Sequence, residues 1–87
     1  MWRTEYTDVA ERALLKLDKP GRDRILAFLR ERAEKLEDPK VVAEPLVGEL
    51  RGLWRFRVGD YRIICDIRHE VLLILVLQVG HRKEVYR

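Results

Sequence analysis

The chain has 87 residues, 47% of them hydrophobic, which is enough for one small core and therefore for a single domain over residues 1–87. Its net charge of +3 is only mildly basic, so the positions of the cations matter more than their number. The single cysteine, Cys65, excludes an internal disulfide, argues against a cysteine-based metal site and is expected to be a buried structural thiol.

The apolar segments are too short for a membrane protein. The first residues lack the apolar stretch of a signal peptide. The longest apolar run, residues 71–77, is far shorter than a bilayer-spanning helix requires. We therefore expect a soluble, cytoplasmic protein without a membrane partner.

The N-terminal half predicts one strand followed by two helices. Residues 2–7 alternate in polarity, which indicates a short strand. Asp8 followed by Glu11 is typical of a capped helix start, and the helical pattern continues until Lys19-Pro20-Gly21 breaks it. A second helix is expected to end at Asp38-Pro39. The apolar stripes of these helices are Val9, Ala10, Ala13, Leu14 and Leu17 in the first, and Ile25, Leu26, Leu29, Ala33 and Leu36 in the second.

The C-terminal half predicts three strands. Residues 40–48 contain a proline and a glycine and are interpreted as a connection. Residues 50–58 and 61–67 form a hairpin that is closed by Gly59-Asp60. Residues 71–77 do not alternate in polarity, so this strand should be covered on both faces and lie centrally in the sheet. The element order β-α-α-β-β-β predicts an α+β fold, in which a helical hairpin covers one face of an antiparallel-rich sheet.

Three arginines of the predicted hairpin are expected near one surface. Side chains alternate across a strand, so Arg55 and Arg57 share one face, and the turn brings Arg62 close to them. Three cations without an interleaved acid repel one another unless an anion lies between them. A phosphate chain is suitable, because the guanidinium fork matches phosphate oxygens bidentately. The spacing supports equally well a second interpretation, in which Arg55 and Arg57 are exposed residues that protect a sheet edge from aggregation.

The usual catalytic signatures are absent from the sequence. It has no glycine-rich phosphate loop, no His/Cys/Asp ligand cluster and no serine, so we expect no metal, no cofactor and no serine nucleophile. His69 is expected at a turn surface, whereas His81 follows Gly80 near the end of the last strand and could face the three arginines. Tyr86 could anchor the terminus, stack on a base or donate a proton, and the sequence does not choose between these roles.

The chain resembles the RelE/ParE superfamily of bacterial and archaeal type II toxins over essentially its whole length. The matching segments are Leu50-Arg51-Gly52-Leu53-Trp54-Arg55-Phe56-Arg57, Gly59-Asp60-Tyr61-Arg62-Ile63-Ile64 and Val79-Gly80-His81-Arg82-Lys83-Glu84-Val85-Tyr86. The motifs are fairly specific in combination, and the closing segment is more similar to the RelE branch than to the ParE branch. The resemblance implies a compact β-α-α-β-β-β toxin fold, in agreement with the order read from the residues.

The resemblance also implies an activity, because RelE-like members enter the ribosomal A site and cleave mRNA there. The RNA 2′-hydroxyl attacks the adjacent phosphate in line, without a metal, and leaves a cyclic phosphate and a free 5′-hydroxyl. Matching the motifs assigns Arg62 and Arg82 to the pentacovalent phosphate, and Arg55 and Arg57 to backbone binding and transition-state charge. Tyr86 would stack on or orient the base at the cleavage site. The further RNA-binding candidates are Arg51 and Lys83.

This sequence departs from the best-known RelE pattern at Arg55 and Arg57, where that pattern has lysines. A lysine can lose its proton when its pKa is depressed, but an arginine effectively cannot. The identity of the general base is therefore open. Our hypothesis from the sequence is that His81, with an ordinary pKa near 6.5, acts as base or acid.

The expected partners are a RelB-like antitoxin, with which the chain forms a hetero-oligomer, and the ribosome with its mRNA. The first alternative is a ParE-like toxin that inhibits DNA gyrase without cleaving RNA. The second alternative is a degenerate toxin that acts only as a binding partner or repressor component. Both alternatives share the fold. The set His81, Arg82 and Tyr86 favours the nuclease, because a gyrase inhibitor has no need for converging groups that cleave a phosphodiester.

Overall fold

A five-stranded sheet forms the centre of the computed structural model, which describes residues 1–85. Tyr86, one of the predicted site residues, lies outside the described residues. The helices are α1 (Asp8–Lys16) and α2 (Lys19–Glu31), and the strands are β1 (Arg3–Tyr6), β2 (Glu44–Pro45), β3 (Trp54–Val58), β4 (Tyr61–Arg68) and β5 (Leu73–His81).

The strands lie in the order β1-β5-β4-β3-β2, and every pairing is antiparallel except that of β1 with β5. The predicted α+β fold is confirmed, and β5 is an internal strand as expected. The interpretation of residues 40–48 as a plain connection was incomplete, because Glu44–Pro45 pairs with β3 as an edge strand. A proline has no N–H to donate, so the strand containing Pro45 can remain at the sheet edge without losing a ladder hydrogen bond.

The N-cap of the first helix and the starting point of the second helix differ from the prediction. Thr7, not Asp8, is the N-cap of α1, and its side chain accepts a hydrogen bond from Ala10 N. Lys19-Pro20-Gly21 does not separate the helices but forms the first turn of α2, where a proline is well tolerated. The α-helix stops at Glu31, and a 3-10 turn at Ala33–Lys35 follows it.

The two faces of the sheet have different surroundings. The helix face packs against α1 and α2, and fully buried residues such as Ile25, Leu29 and Phe56 form the core between them. The opposite face, called the open face below, carries Glu44, Arg55, Arg57 and Arg62. The prediction that β5 is covered on both faces therefore holds only in part. Ile74 and Val76 are buried in the core, whereas Leu75 and Leu77 are half-buried.

Cys65 lies in the core, as predicted. Its side chain is buried, and its Sγ lies 3.6 Å from the carbonyl oxygen of Trp54, to which it donates a hydrogen bond. Burial raises the pKa of the Cys65 thiol to about 12, so the thiol stays protonated at neutral pH. None of the helices in residues 1–85 is long and apolar enough to cross a bilayer.

A β-bulge at Leu77 interrupts the ladder between β4 and β5. Cys65 pairs with Val76 and Ile64 pairs with Gln78, so Leu77 is an extra residue in β5. Val76 and Val79 are consequently both buried in the core, although strict alternation would place them on opposite faces. After the bulge, each β5 residue therefore lies on the face opposite to the one that regular alternation would give it.

Thr7→Ala tests whether the Thr7 hydroxyl stabilises the junction between β1 and α1. Thr7 Oγ1 accepts from Ala10 N at 3.1 Å and donates to Leu77 O at 3.2 Å, so its removal breaks the cap and a tie to the bulge. We expect Thr7→Ala to lower the free energy of unfolding by about 1–2 kcal/mol in urea titrations. Thr7→Ser keeps the hydroxyl and should retain most of the stability. Equal stability of Thr7→Ala and the unmodified protein would contradict this role.

Candidate functional site

The register of β3 and β4 brings three of the predicted arginines together. Arg57 lies directly opposite Arg62, and Arg55 lies opposite Ile64. Because directly opposed residues of an antiparallel pair share a face, all three arginines project from the open face. Their placement on one surface agrees with the sequence analysis.

An acid that the sequence analysis missed lies among these arginines. Glu44 pairs with Arg55 across β2 and β3, which places its carboxylate on the open face. Its Oε1 accepts from Arg57 Nε at 2.7 Å and from Arg55 Nε and Nη2 at 3.2 Å and 3.1 Å. The expectation of cations without an interleaved acid was therefore wrong. The missed signal is Glu44-Pro45, an acid beside a residue that is compatible with an edge strand.

Glu44 is held in its charged form by its neighbours. Partial burial raises the pKa of the Glu44 carboxyl, but the charges and hydrogen bonds of Arg55 and Arg57 outweigh this effect and lower the pKa below its ordinary value. The carboxylate is therefore ionised at neutral pH. It reduces the repulsion between the two arginines, and any anion that binds there must compete with it.

Arg62 and Arg82 each contact residues of the hairpin turn between β3 and β4. Arg62 Nη1 donates to Gly59 O at 2.8 Å and to Tyr61 O at 2.9 Å, which fixes its guanidinium beside the turn. Arg82 N donates to Asp60 O at 2.8 Å, and Arg82 Nε lies 3.9 Å from Asp60 Oδ1. The Arg82 side chain is 56% exposed and its ion pair is long, so it can turn toward another anion at little cost.

Gly80 allows the chain after β5 to fold back onto the open face. Gly80 pairs with Arg62 and therefore faces the open side. A methyl group at this position would lie 3.1 Å from Cγ2 of Val85, which is tighter than ordinary packing. Val85 is buried over this glycine. The remaining RNA-binding candidates, Arg51 and Lys83, are exposed in the turns before β3 and after β5.

His81 is not brought to the arginines. It pairs with Tyr61 on the helix face, and the two rings meet edge to face with their centroids 6.3 Å apart. Tyr61 in turn donates its hydroxyl to Asp18 at the start of α2, at 3.0 Å. The cause is the bulge at Leu77. Without that extra residue, the alternation of side chains along β5 would direct His81 to the open face instead of the helix face.

The described residues offer no alternative centre for metal chemistry. No group of three or more His, Cys, Asp or Glu side chains in residues 1–85 is arranged to hold a metal ion. His69, expected at a turn surface, lies in the turn between β4 and β5 and bonds Asp38 through Nε2 at 3.0 Å. The sequence and the structure therefore indicate the same candidate site. It is the group Arg55, Arg57 and Arg62, called the basic end of the open face below.

Comparisons with known proteins agree with this fold. Residues 4–86 match the family model described as the ParE toxin of type II toxin-antitoxin systems. Toxin RelG of Mycobacterium tuberculosis is 35% identical over 99% of this chain and 97% of its own length.

Solved structures of toxin-antitoxin complexes show the same architecture. The RelBE2 complex of Mycobacterium tuberculosis contains a chain with a TM-score of 0.82 and 30% identity, covering 93% of this chain and 98% of its own. The RelE-RelB complex of Pyrococcus horikoshii contains a chain with a TM-score of 0.71 and 27% identity, covering 97% of this chain and 98% of its own. The Escherichia coli RelBE complex, at a TM-score of 0.71 and 16% identity over 93% of this chain and 96% of its own, is similar in fold.

Glu44→Gln tests whether this carboxylate balances the arginines. The folded-state pKa of Glu44 lies below its ordinary value of 4.5, so its contribution to stability is present above pH 4.5 and is lost as the pH falls through the folded-state pKa. We expect the variant to be less stable than the unmodified protein near pH 7 at low salt. The difference should shrink at high salt and disappear in strong acid.

Urea titrations at several pH values and two salt concentrations measure this effect. Glu49→Gln is the matched control, because Glu49 is an exposed carboxylate in the turn that follows β2. A stability difference for Glu44→Gln that persists unchanged in strong acid would contradict the electrostatic explanation.

Proposed function

This chain belongs to the RelE/ParE superfamily of type II toxins, and we propose that it is a ribosome-dependent mRNA endonuclease that inhibits translation. The observation that supports this proposal most strongly is the basic end of the open face. Arg55, Arg57 and Arg62 project from adjacent strands, and neither α1 nor α2 packs on that face. Guanidinium groups bind phosphate oxygens in pairs, so this surface is suited to an RNA backbone.

The arginines would act on the phosphate that is cleaved. When the 2′-hydroxyl attacks the adjacent phosphate in line, negative charge builds up on the phosphate oxygens. We assign Arg62 and Arg82 to this charge, because both contact the same hairpin turn between β3 and β4. Arg57 is 56% exposed and would bind the backbone beside Arg55. A guanidinium has five N–H donors, so the contact of Arg57 Nε with Glu44 leaves further donors for an anion.

Glu44 is a better candidate for the general base than His81. It is an ionised carboxylate on the same face as the arginines, whereas His81 lies on the helix face. The lowered pKa of Glu44 makes it a weak base in the free protein. A phosphate bound to Arg55 and Arg57 would offset part of the positive charge that these arginines present to Glu44. The pKa of the Glu44 carboxyl would then rise. Binding of RNA would thereby prepare the carboxylate to accept the 2′-hydroxyl proton.

The proposed partners are a RelB-like antitoxin, the ribosome and mRNA. The solved relatives from Mycobacterium tuberculosis and Pyrococcus horikoshii are complexes of a RelE-type toxin with its antitoxin, which supports a hetero-oligomer here as well. Tyr86, outside the described residues, keeps its proposed role of stacking on the base at the cleavage site. Arg51 and Lys83 remain proposed contacts to more distant parts of the RNA.

A second candidate function is inhibition of DNA gyrase without RNA cleavage. The observation in its favour is the match of residues 4–86 to the ParE toxin family model. A supercoiling assay with purified gyrase distinguishes the two functions, since a nuclease that acts on ribosomes leaves supercoiling unchanged.

Cleavage in a reconstituted translation reaction tests the nuclease proposal. Primer extension on the mRNA of stalled ribosomes should show a new end within the A-site codon. We expect Arg62→Ala and Arg82→Ala each to reduce the cleavage rate by about 10²–10³-fold, because each removes a donor to the developing charge. Arg68→Ala is the matched control, since Arg68 ends the same strand as Arg62 but pairs with Asp66 at 2.8 Å. An intact message, or equal cleavage by all three variants, would reject the proposal.

Single-turnover cleavage by Glu44→Gln and His81→Gln tests the assignment of the base. We expect Glu44→Gln to cleave about a hundredfold more slowly while binding ribosomes at least as tightly, because it removes a proton acceptor and a competing anion together. The cleavage rate of His81→Gln should fall by less than about tenfold, because His81 would affect the reaction only indirectly, through the position of the end of β5. The opposite ranking would restore His81 as the base.

A further inference from the structure

The turn between β3 and β4 holds both arginines that are assigned to the developing charge. Arg62 Nη1 donates to Gly59 O at 2.8 Å and to Tyr61 O at 2.9 Å. Arg82 N donates to Asp60 O at 2.8 Å. The guanidinium of Arg62 and the backbone of Arg82 are therefore both attached to three consecutive residues, 59–61. A contact that fixes these three residues against the rest of the protein also fixes where the two arginines lie.

This turn is tied to the start of α2 through the side chain of Tyr61. The Tyr61 hydroxyl donates to Asp18 Oδ1 at 3.0 Å. The bond to this carboxylate raises the pKa of the Tyr61 hydroxyl, so the hydroxyl stays protonated at neutral pH and remains a donor. The Arg24 guanidinium, from the second turn of α2, lies against Gly59 of the same hairpin. The first half of α2 thus contacts the hairpin turn at two points.

Asp18 is the N-cap of α2, yet its side chain makes no capping hydrogen bond to the helix. An aspartate at an N-cap ordinarily accepts a hydrogen bond from the backbone N–H of the second or third helical residue. The second helical residue here is Pro20, which has no N–H, and the carboxylate accepts from Tyr61 instead. The Asp18 side chain therefore serves the contact with the hairpin and not its own helix.

Gly21 leaves the space that this contact requires. A methyl group at this position would lie 2.8 Å from Asp18 Oδ1 and would overlap the Tyr61 hydroxyl. A glycine inside a helix is otherwise unfavourable, because it loses more backbone freedom on folding than any other residue. The residues Asp18, Gly21 and Tyr61 therefore fit one another as acceptor, gap and donor.

We propose that Tyr61 and Asp18 are positioning residues for RNA cleavage, and that their hydrogen bond holds the hairpin turn where its two arginines reach the phosphate that is cleaved. The Tyr61 side chain lies on the helix face and Arg62 projects from the open face, so the bond acts through the backbone of the turn. A misplacement of about 1 Å can slow an enzyme by about a hundredfold, which makes the rate sensitive to such a support. The proposal rests on the nuclease function proposed above, because it names residues that support the arginines of that reaction.

Single-turnover cleavage by Tyr61→Phe, with the protein in excess over programmed ribosomes, tests this role. The variant keeps the ring and loses only the hydroxyl, so we expect the rate constant at saturating protein to fall by about tenfold. The half-saturating protein concentration should change by less than about twofold, because no contact to RNA is removed. A variant that is merely less stable shows the reverse, because a smaller folded fraction raises the half-saturating concentration and leaves the saturating rate constant unchanged. Tyr6→Phe is the matched control, since Tyr6 also packs half-buried against the core but lies in β1 beside Val76.

Two substitutions of Asp18 separate the hydrogen bond from the charge. Asp18→Asn keeps an oxygen that accepts from Tyr61 and should retain most of the cleavage rate. Asp18→Ala removes the acceptor and should slow cleavage as much as Tyr61→Phe does. The double variant with Tyr61→Phe and Asp18→Ala should be no slower than either single variant, because both substitutions remove the same bond. Additive losses in the double variant, or equal rates for Asp18→Asn and Asp18→Ala, would overturn the proposal.

Hydrogen exchange of the free protein tests the same bond without RNA. The Arg82 amide bonds Asp60 O, so its exchange reports whether the hairpin turn keeps its place beside the end of β5. We expect this amide to exchange about fivefold faster or more in Tyr61→Phe than in the unmodified protein or in Tyr6→Phe. Equal exchange in all three proteins would overturn the proposal. If the unmodified protein cleaved no mRNA, the nuclease function would fail, and this measurement would still decide whether Tyr61 fixes the turn.

Discussion

The extra residue at Leu77 determines which side chains can act together. In a regular antiparallel ladder, the pairing of Cys65 with Val76 would place Val79 opposite Arg62 and turn His81 toward the open face. The bulge instead buries Val79 in the core and places Gly80 opposite Arg62. A small residue there allows Val85 to fold over the open face. One inserted residue thus removes the histidine from the arginines and makes room for the closing segment.

The electrostatics of the open face depend on one shared carboxylate. Glu44 bonds both Arg55 and Arg57, so the folded protein stabilises closely spaced cations without a bound ligand. An anion that binds this surface must compete with Glu44 for the arginines. If RNA is the ligand, the competition also raises the basicity of the carboxylate when the reaction begins. A single residue of a two-residue strand thereby connects stability with the proposed chemistry.

The sequence predicted those features that follow from local pattern. Strand alternation placed Arg55, Arg57 and Arg62 on one surface, and the unbroken apolar run identified β5 as an internal strand. The sequence did not predict the features that depend on strand pairing with residues distant along the chain. Glu44 looked like part of a connection because its strand exists only through pairing with Arg55. His81 was misplaced because a bulge leaves no clear signature in an apolar run such as residues 71–77.

A structure of the protein on a ribosome with an uncleavable mRNA tests the central claim most directly. The mRNA would carry a 2′-deoxynucleotide at the cleavage position, so that the nucleophile is absent. The account predicts that the scissile phosphate lies on the open face within hydrogen-bonding distance of Arg62, with the modified 2′ position directed toward Glu44. A scissile phosphate on the helix face beside His81, or an mRNA that does not touch the open face, would contradict it.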